Sequence, residues 1–364
     1  MVRKIILKLH RWLGLLTGPI VFVVALTGAL YAFQEEIQDL SQPYRFVEVQ
    51  KQSFLQPSVL LAKAKVLHPD KKIHAILFDE PGRAAKVIFY QYNAYYRITF
   101  LNPYTAQILA DTDQEEGFFP WVLRGHFYLW LPEWIGQPLV AWATLVFAFV
   151  VISGLLVWWS RGNWRPKKWR FKQTKNPKRR NYDLHTIIGF YVSAFTLVFA
   201  TTGLVWGFAW FESAYYQVAS LGETFQAYSE PTLTAKITDQ HQIATIDVLF
   251  EKEKRQIRTG QWLEFHIPEQ YNGAIAYNIN YDRQTYGQID YHYYDPLHDK
   301  ELSVDHHWGR LKDTTLAKYL QRINYDIHVG SILGFWGKCL AFLASLCIAA
   351  LPITGYLIWR ARKK

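Results

Sequence analysis

Cysteine is nearly absent: two in 364 residues, Cys339 and Cys347, both inside the last apolar run. No disulfide framework can form, and the redox compartment cannot be read from cysteine usage. They read as small apolar residues of a lipid-embedded helix. Acidic residues are missing from four long stretches, 13–33, 138–159, 187–211 and 332–359. A proton-coupled carrier normally keeps carboxylates there, so their absence counts against a transporter. The chain also has no glycine-rich phosphate loop, no Gly-x-Ser-x-Gly and no His-Glu-x-x-His. Chemistry built on those motifs is excluded.

What is present is apolar and aromatic. Half of the residues are hydrophobic and 17% are aromatic, far from the profile of a disordered chain. Mean hydropathy is near zero, at −0.07. That average hides segregation, because each of the four acid-free stretches is long enough to span roughly 30 Å of hydrocarbon. The first is followed by Glu35 and Glu36, where a cleavage site would need small residues, so it reads as a retained signal anchor.

Charge orients the spans. Residues 1–12, 160–186 and 360–364 hold 18 of the 40 Lys and Arg and one of the 30 acidic residues, Asp183. Short basic stretches stay cytoplasmic and can touch anionic headgroups. Because these charges flank apolar spans, they read as membrane signals and not as a nucleic-acid surface. The expected layout is a first span in 1–34, an outer segment 35–130, a second span in 131–160 and a basic loop 161–186. A third span in 187–211, an outer segment 212–330 and a fourth span with basic tail in 331–364 follow. Both termini are expected in the cytoplasm, with the outer segments periplasmic in a diderm bacterium. Trp158, Trp159, Trp206, Trp210, Tyr356 and Trp359 sit at span ends as interfacial anchors.

The chain reads as an internal tandem duplication. His10, Gly14 and Thr27-Gly28 recur 175 residues later as His185, Gly189 and Thr202-Gly203. His126 with Ser153-Gly154 and Trp158 recurs as His328 with Thr354-Gly355 and Trp359. The outer segments repeat too. A helix at 55–67 precedes strands at 72–78, 86–92, 95–101 and 107–110. A helix at 240–254 precedes strands at 262–267, 274–281 and 288–293. The expected fold class is an integral membrane protein: an all-α four-helix bundle carrying two α+β extracytoplasmic lobes.

The four repeat-related histidines carry the chemistry. His10 and His185 fall at the cytoplasmic face, His126 and His328 at the outer face. Each pair flanks a pseudo-twofold axis. Two imidazoles facing across a bundle suit a flat macrocycle with two axial ligands, which is haem b, twice. No Cys-x-x-Cys-His motif is present, so covalent c-type haem is excluded. Gly14 and Gly189 lie one turn from their histidines, where a porphyrin needs a missing side chain; close helix packing in lipid would explain them equally. Arg11 with Arg179 or Arg180 at the inner site, and Arg124 and Arg322 at the outer, are candidates to pair haem propionates. Helix 1 puts about 27 Å between His10 and Gly28, a long gap for electron hopping unless tilt, macrocycle size or aromatic side chains shorten it. His306-His307-Trp308, with His292 and His298, matches no zinc or copper spacing and reads as a surface loop, open to an outer substrate.

The segments Leu9-His10-Arg11-Trp12-Leu13-Gly14 with Leu26-Thr27-Gly28, Asp183-Leu184-His185 with Gly189, and Ile353-Thr354-Gly355-Tyr356-Leu357-Ile358-Trp359 resemble the PepSY-associated transmembrane family. The likeness covers nearly the whole chain and makes the outer segments PepSY-like. It implies kinship with bacterial inner-membrane dihaem ferric-siderophore reductases, enzymes that pass electrons outward to a ferric siderophore or other ferric chelate. By that resemblance His10 and His185 hold the inner haem, and His126 and His328 the outer one. Pro132, between His126 and the second span, leaves the orientation of that histidine open. The cytoplasmic loop is too short for a flavin or nicotinamide domain, so the donor would be a quinol or another protein. The competing reading is a membrane-anchored PepSY binding or regulatory module in which the histidines are structural.

Overall fold

A computed structural model describes residues 1–159 and 174–363. Arg161, Arg165, Lys167, Lys168, Arg170 and Lys172 of the expected basic loop lie outside the described residues. The chain divides into a helical unit (1–34, 118–215 and 324–364) and a sheet unit (35–117 and 216–323).

In the helical unit, four helices are long and apolar enough to cross a membrane: α1 (Val2–Tyr31), α5 (Glu133–Trp159), α6 (Pro177–Gly207) and α11 (Gly334–Lys363). Around the bundle the order is α1, α5, α6, α11, with each packed on the next and α11 closing on α1. Thus α1 and α6 stand on one diagonal, α5 and α11 on the other. Gly18 lets α1 approach α11, where an added Cβ would meet Pro352 at 3.2 Å.

Two boundaries differ from the expectation. Helix α6 begins ten residues before 187, because the Asn176 side chain accepts hydrogen bonds from the amides of Lys178 (3.0 Å) and Arg179 (3.3 Å), with Pro177 at the first turn. Hydropathy sees only the lipid-facing part of such a helix. The helix then stops at Gly207, and α7 (Ala209–Ala219) starts afresh.

His126 and His328 are not on the spans they precede. They sit on short helices, α4 (Phe118–Tyr128) and α10 (Asn324–Val329), which pack on the bundle. The reversal between α4 and α5 needs Gly136, where a Cβ would fall 2.1 Å from the Tyr128 carbonyl oxygen.

In the sheet unit, α2 (Gln34–Ser41) starts on the last residue of the helical unit's first segment. The first half supplies α3 (Pro57–Lys65) and strands β1 (Ile73–Phe78), β2 (Ala85–Gln91), β3 (Tyr95–Leu101) and β4 (Ile108–Asp113). The second supplies α8 (Asp239–Glu253), β5 (Trp262–His266), β6 (Ile275–Asn280), β7 (Ile289–Asp295), β8 (Lys300–Leu302) and α9 (Leu316–Arg322). Two separate lobes were expected. The segments form one sheet instead, ordered β4-β3-β2-β1-β5-β6-β7-β8, antiparallel throughout.

The seam is β1 against β5, with Ile76 opposite Phe265 and Phe78 opposite Leu263. Left apart, each strand would be an apolar edge with unpaired backbone groups. Joined, they share a core in which Phe78, Val87 and Leu101 of one half pack with Phe250, Leu263 and Phe265 of the other. Helices α3 and α8 pack together, and Asp247 accepts a 2.9 Å hydrogen bond from the Ser58 amide. Arg283 crosses the seam to Asp79 at 3.1 Å. Burial opposes ionisation of Asp79, but Lys86, Arg283 and Arg83 outweigh it and hold its carboxyl below the usual range.

Candidate functional site

The bundle brings the four histidines together in two pairs. His10 and His185, on the diagonal helices α1 and α6, have ring centres 6.3 Å apart with planes at 75°. His126 and His328, on α4 and α10, have ring centres 6.2 Å apart with planes at 69°. These are the pairs expected from the sequence offsets.

Each ring is held through Nδ1 by a hydroxyl on another helix. His10 Nδ1 lies 3.0 Å from Ser153 Oγ and 3.0 Å from the Val150 carbonyl oxygen, both on α5. His185 Nδ1 lies 2.9 Å from Thr354 Oγ1 on α11. His126 Nδ1 lies 2.9 Å from the Val24 carbonyl oxygen and 3.4 Å from Thr27 Oγ1, both on α1. His328 Nδ1 lies 2.8 Å from Thr202 Oγ1 on α6.

The residue after each hydroxyl is a glycine, and the ring lies against it. A Cβ at Gly154 would fall 3.0 Å from His10 Cε1, and one at Gly28 3.0 Å from His126 Cε1. At Gly203 and Gly355 the corresponding distances are 3.3 Å to His328 and to His185. These Ser/Thr-Gly steps were legible only as marks of the repeat, because each partner is 99 to 169 residues away in the chain.

Around the inner pair the bundle forms a cavity lined by His10, His185, Gly14, Gly189, Arg11 and Arg362, among others. Gly14 and Gly189 thus face the space beside the imidazoles. Both also approach a neighbouring helix at ordinary contact distance, 3.5 Å to Val150 and 3.6 Å to Leu351. Both readings of these glycines fit.

The arginines divide. Arg11 is exposed and lines the cavity, joined by Arg362 from α11, which sequence reasoning missed. Arg179 is engaged instead with Asp183, its Nη2 2.9 Å from Oδ1. Arg124 is exposed on α4 two residues before His126, so it faces away from the side that presents the imidazole. Arg322 is fully buried in the sheet unit, donating to the carbonyl oxygens of His307 (2.6 Å), Ile289 (2.6 Å) and Gly309. Arg322 therefore serves the sheet unit, buried among three backbone carbonyls, and not the propionate it was expected to pair.

His126 and His328 are bordered by aromatics. Trp206 stands edge-on to His328 at 5.4 Å, and Phe199 lies at 6.0 Å. A buried lysine, Lys338, lies in the first turns of α11, inside a stretch read from sequence as an almost uncharged span. By chain position, the layer between the two pairs holds Val21, Phe147, Val150, Val192 and Ile348, with Phe199 packed against it.

Of the outer histidines, His298 is exposed and pairs with Asp295 at 2.8 Å, as a surface-loop group should, but His292 and His306 are buried. His306 is 4% exposed, beside Tyr228 and Tyr293, and His292 stacks on Tyr277 at 4.4 Å. Burial, then His306, Arg322 and Lys318, push His307 down to about 4. Among the described residues, no group of three or more His, Cys, Asp or Glu side chains could hold a metal ion.

The family described as PepSY-associated TM region matches residues 7–362. The chain belongs to this family. That membership, with four long apolar helices, makes it a membrane protein. No curated protein matches it.

Proposed function

We propose that this PepSY-associated membrane protein holds two b-type haems, and that it carries electrons outward across the bacterial inner membrane to reduce a ferric chelate such as a ferric siderophore. The observation that carries the reading is the spacing of the imidazoles. A metal–imidazole bond is about 2.0–2.1 Å long and the ring centre lies about 1.1 Å further, so two coaxial ligands set their ring centres about 6.2–6.4 Å apart. Both pairs stand at that separation, 6.3 and 6.2 Å.

His10 and His185 would hold the inner haem, His126 and His328 the outer. Bound there, haem supplies a one-electron iron couple whose potential is set by the axial ligands and their surroundings. The chain's own part is to bind and orient. Nδ1 of each ring is tied to a helix, the inner cavity is lined mainly by apolar side chains, and Arg11 and Arg362 there offer counter-charge to carboxylates.

Along α1, from His10 to the Val24–Thr27 segment that receives His126, the rise is about 21–26 Å. The intervening layer is apolar and mainly aliphatic, with Phe147 and Phe199 as its aromatic members. The basic flanks favour cytoplasmic termini, so the His10 pair faces the donor, a quinol or a cytoplasmic protein. Reducing a ferric chelate to Fe(II) weakens its binding by hard oxygen ligands and frees the metal. The mirrored pairing of the two halves, about the β1–β5 seam and across the bundle diagonals, supports a tandem duplication.

The test is direct. Detergent-purified chain from haem-replete cells should be red, with a Soret band that shifts on dithionite. His185→Ala should remove about half of the haem and His328→Ala the other half. A colourless wild-type preparation would end this reading.

A further inference from the structure

We infer that Thr27, Ser153, Thr202 and Thr354 are positioning residues that set the tautomer of the four histidines and tune the iron each pair would hold. The inference rests on the haem reading above but comes from a separate observation, namely which carbonyl acceptors lie within reach of each hydroxyl.

Each hydroxyl spends its proton on its own helix. Thr27 Oγ1 donates to the Val23 carbonyl (2.7 Å), Ser153 Oγ to Val150 (2.7 Å), Thr202 Oγ1 to Val198 (2.8 Å) and Thr354 Oγ1 to Ala350 (3.0 Å). A hydroxyl has one proton and two lone pairs. With the proton committed, only a lone pair faces the imidazole, so the imidazole nitrogen there must be the donor. The carbonyls of Val150 and Val24 ask the same of His10 and His126, since a carbonyl oxygen can only accept. Every ring is therefore the Nδ1–H tautomer, and Nε2 carries the free lone pair on the edge away from the anchoring helix.

A donor–acceptor contact at Nδ1 also pulls proton density toward oxygen. That makes Nε2 a stronger base and favours Fe(III) over Fe(II). The glycine beside each hydroxyl is the steric half of the device. A Cβ there would reach the ring at 3.0–3.3 Å, so even alanine would require the imidazole to shift by a few tenths of an ångström relative to the hydroxyl. The contacts are graded: 2.8 Å for Thr202, 2.9 Å for Thr354, 3.0 Å for Ser153 and 3.4 Å for Thr27, whose histidine is held mainly by the Val24 carbonyl.

The experiment is a redox titration of each haem, with haem content, in purified full-length chain carrying the isosteric change Thr→Val. Thr202→Val and Thr354→Val should raise the midpoint potential of their own haem and weaken its retention about tenfold. Thr27→Val should do least, and Thr354→Ser should restore the wild-type potential. A wild type that binds two haems, with potentials unmoved in Thr202→Val and Thr354→Val, would overturn the inference and leave the haem reading standing. If a variant does not fold, nitrogen-15 spectra of the wild type stripped of its haem after purification decide. Four neutral Nδ1–H imidazoles are expected, and Nε2–H tautomers would refute the assignment. Haem-free purified wild type would instead sink the reading on which this rests.

Discussion

A single methyl group discriminates between the two kinds of glycine. At Gly154 it would press on His10 at 3.0 Å, whereas at Gly14 it would meet Val150 at an ordinary 3.5 Å. Gly154→Ala should therefore weaken inner haem retention on the order of tenfold and spare the outer site. Haem-to-protein ratios after dialysis against apomyoglobin would show it. His307 makes a second prediction at this scale, in the sheet unit. Its pKa is near 4 when folded and 6.5 when unfolded. The unfolded chain takes up the proton as pH falls through 6.5, but the folded chain does so only near 4. Stability is thus whole above pH 6.5 and lost progressively toward pH 4, by up to about 3 kcal/mol. His307→Phe should flatten that part of the pH dependence of thermal unfolding. The histidine pairs were legible from sequence because their offsets repeat. Their anchors were not, because a hydroxyl bound across helices leaves no local pattern.

Among the elements, most strands were readable from β-branched and aromatic runs, and the helices expected at 55–67 and 240–254 correspond to α3 and α8. What could not be read was the joining of β1 to β5, since the two strands are nearly two hundred residues apart and each alone looks like an edge. The consequence can be measured. Leu77 pairs with Lys86 on one side and Glu264 on the other, so Leu77→Pro places a residue without an amide donor in a strand bonded on both edges. The cost should be about 3 kcal/mol or more. Hydrogen exchange should rise together in peptides spanning 85–101 and 275–295. Unchanged protection in 275–295 would mean that the halves fold independently. The short helices α4 and α10 were missed for another reason: both are short and fall in the stretches read as outer segments, ahead of the apolar runs that begin at 138 and 332, so hydropathy does not mark them.

For the whole molecule, the basic flanks define an orientation that accessibility can test. In a Cys339→Ser, Cys347→Ser background, Tyr281→Cys should react with a membrane-impermeant maleimide added to spheroplasts. Lys4→Cys and Lys175→Cys should react only after lysis. Labelling of Lys4→Cys and Lys175→Cys from outside, with Tyr281→Cys protected until lysis, would reverse the proposed topology.

The anchoring scheme also ties the two ends of the bundle to one another. Helix α1 presents His10 at one end and receives His126 at the other, while α5 receives His10 through Ser153 and follows directly on the helix that carries His126. A slide of α1 along α5 by one turn would therefore unseat both rings at once, some fifteen residues apart. Because α6 and α11 repeat the arrangement, each half of the chain grips both of its own imidazoles without help from the other half. All that the halves must do for each other is stand face to face.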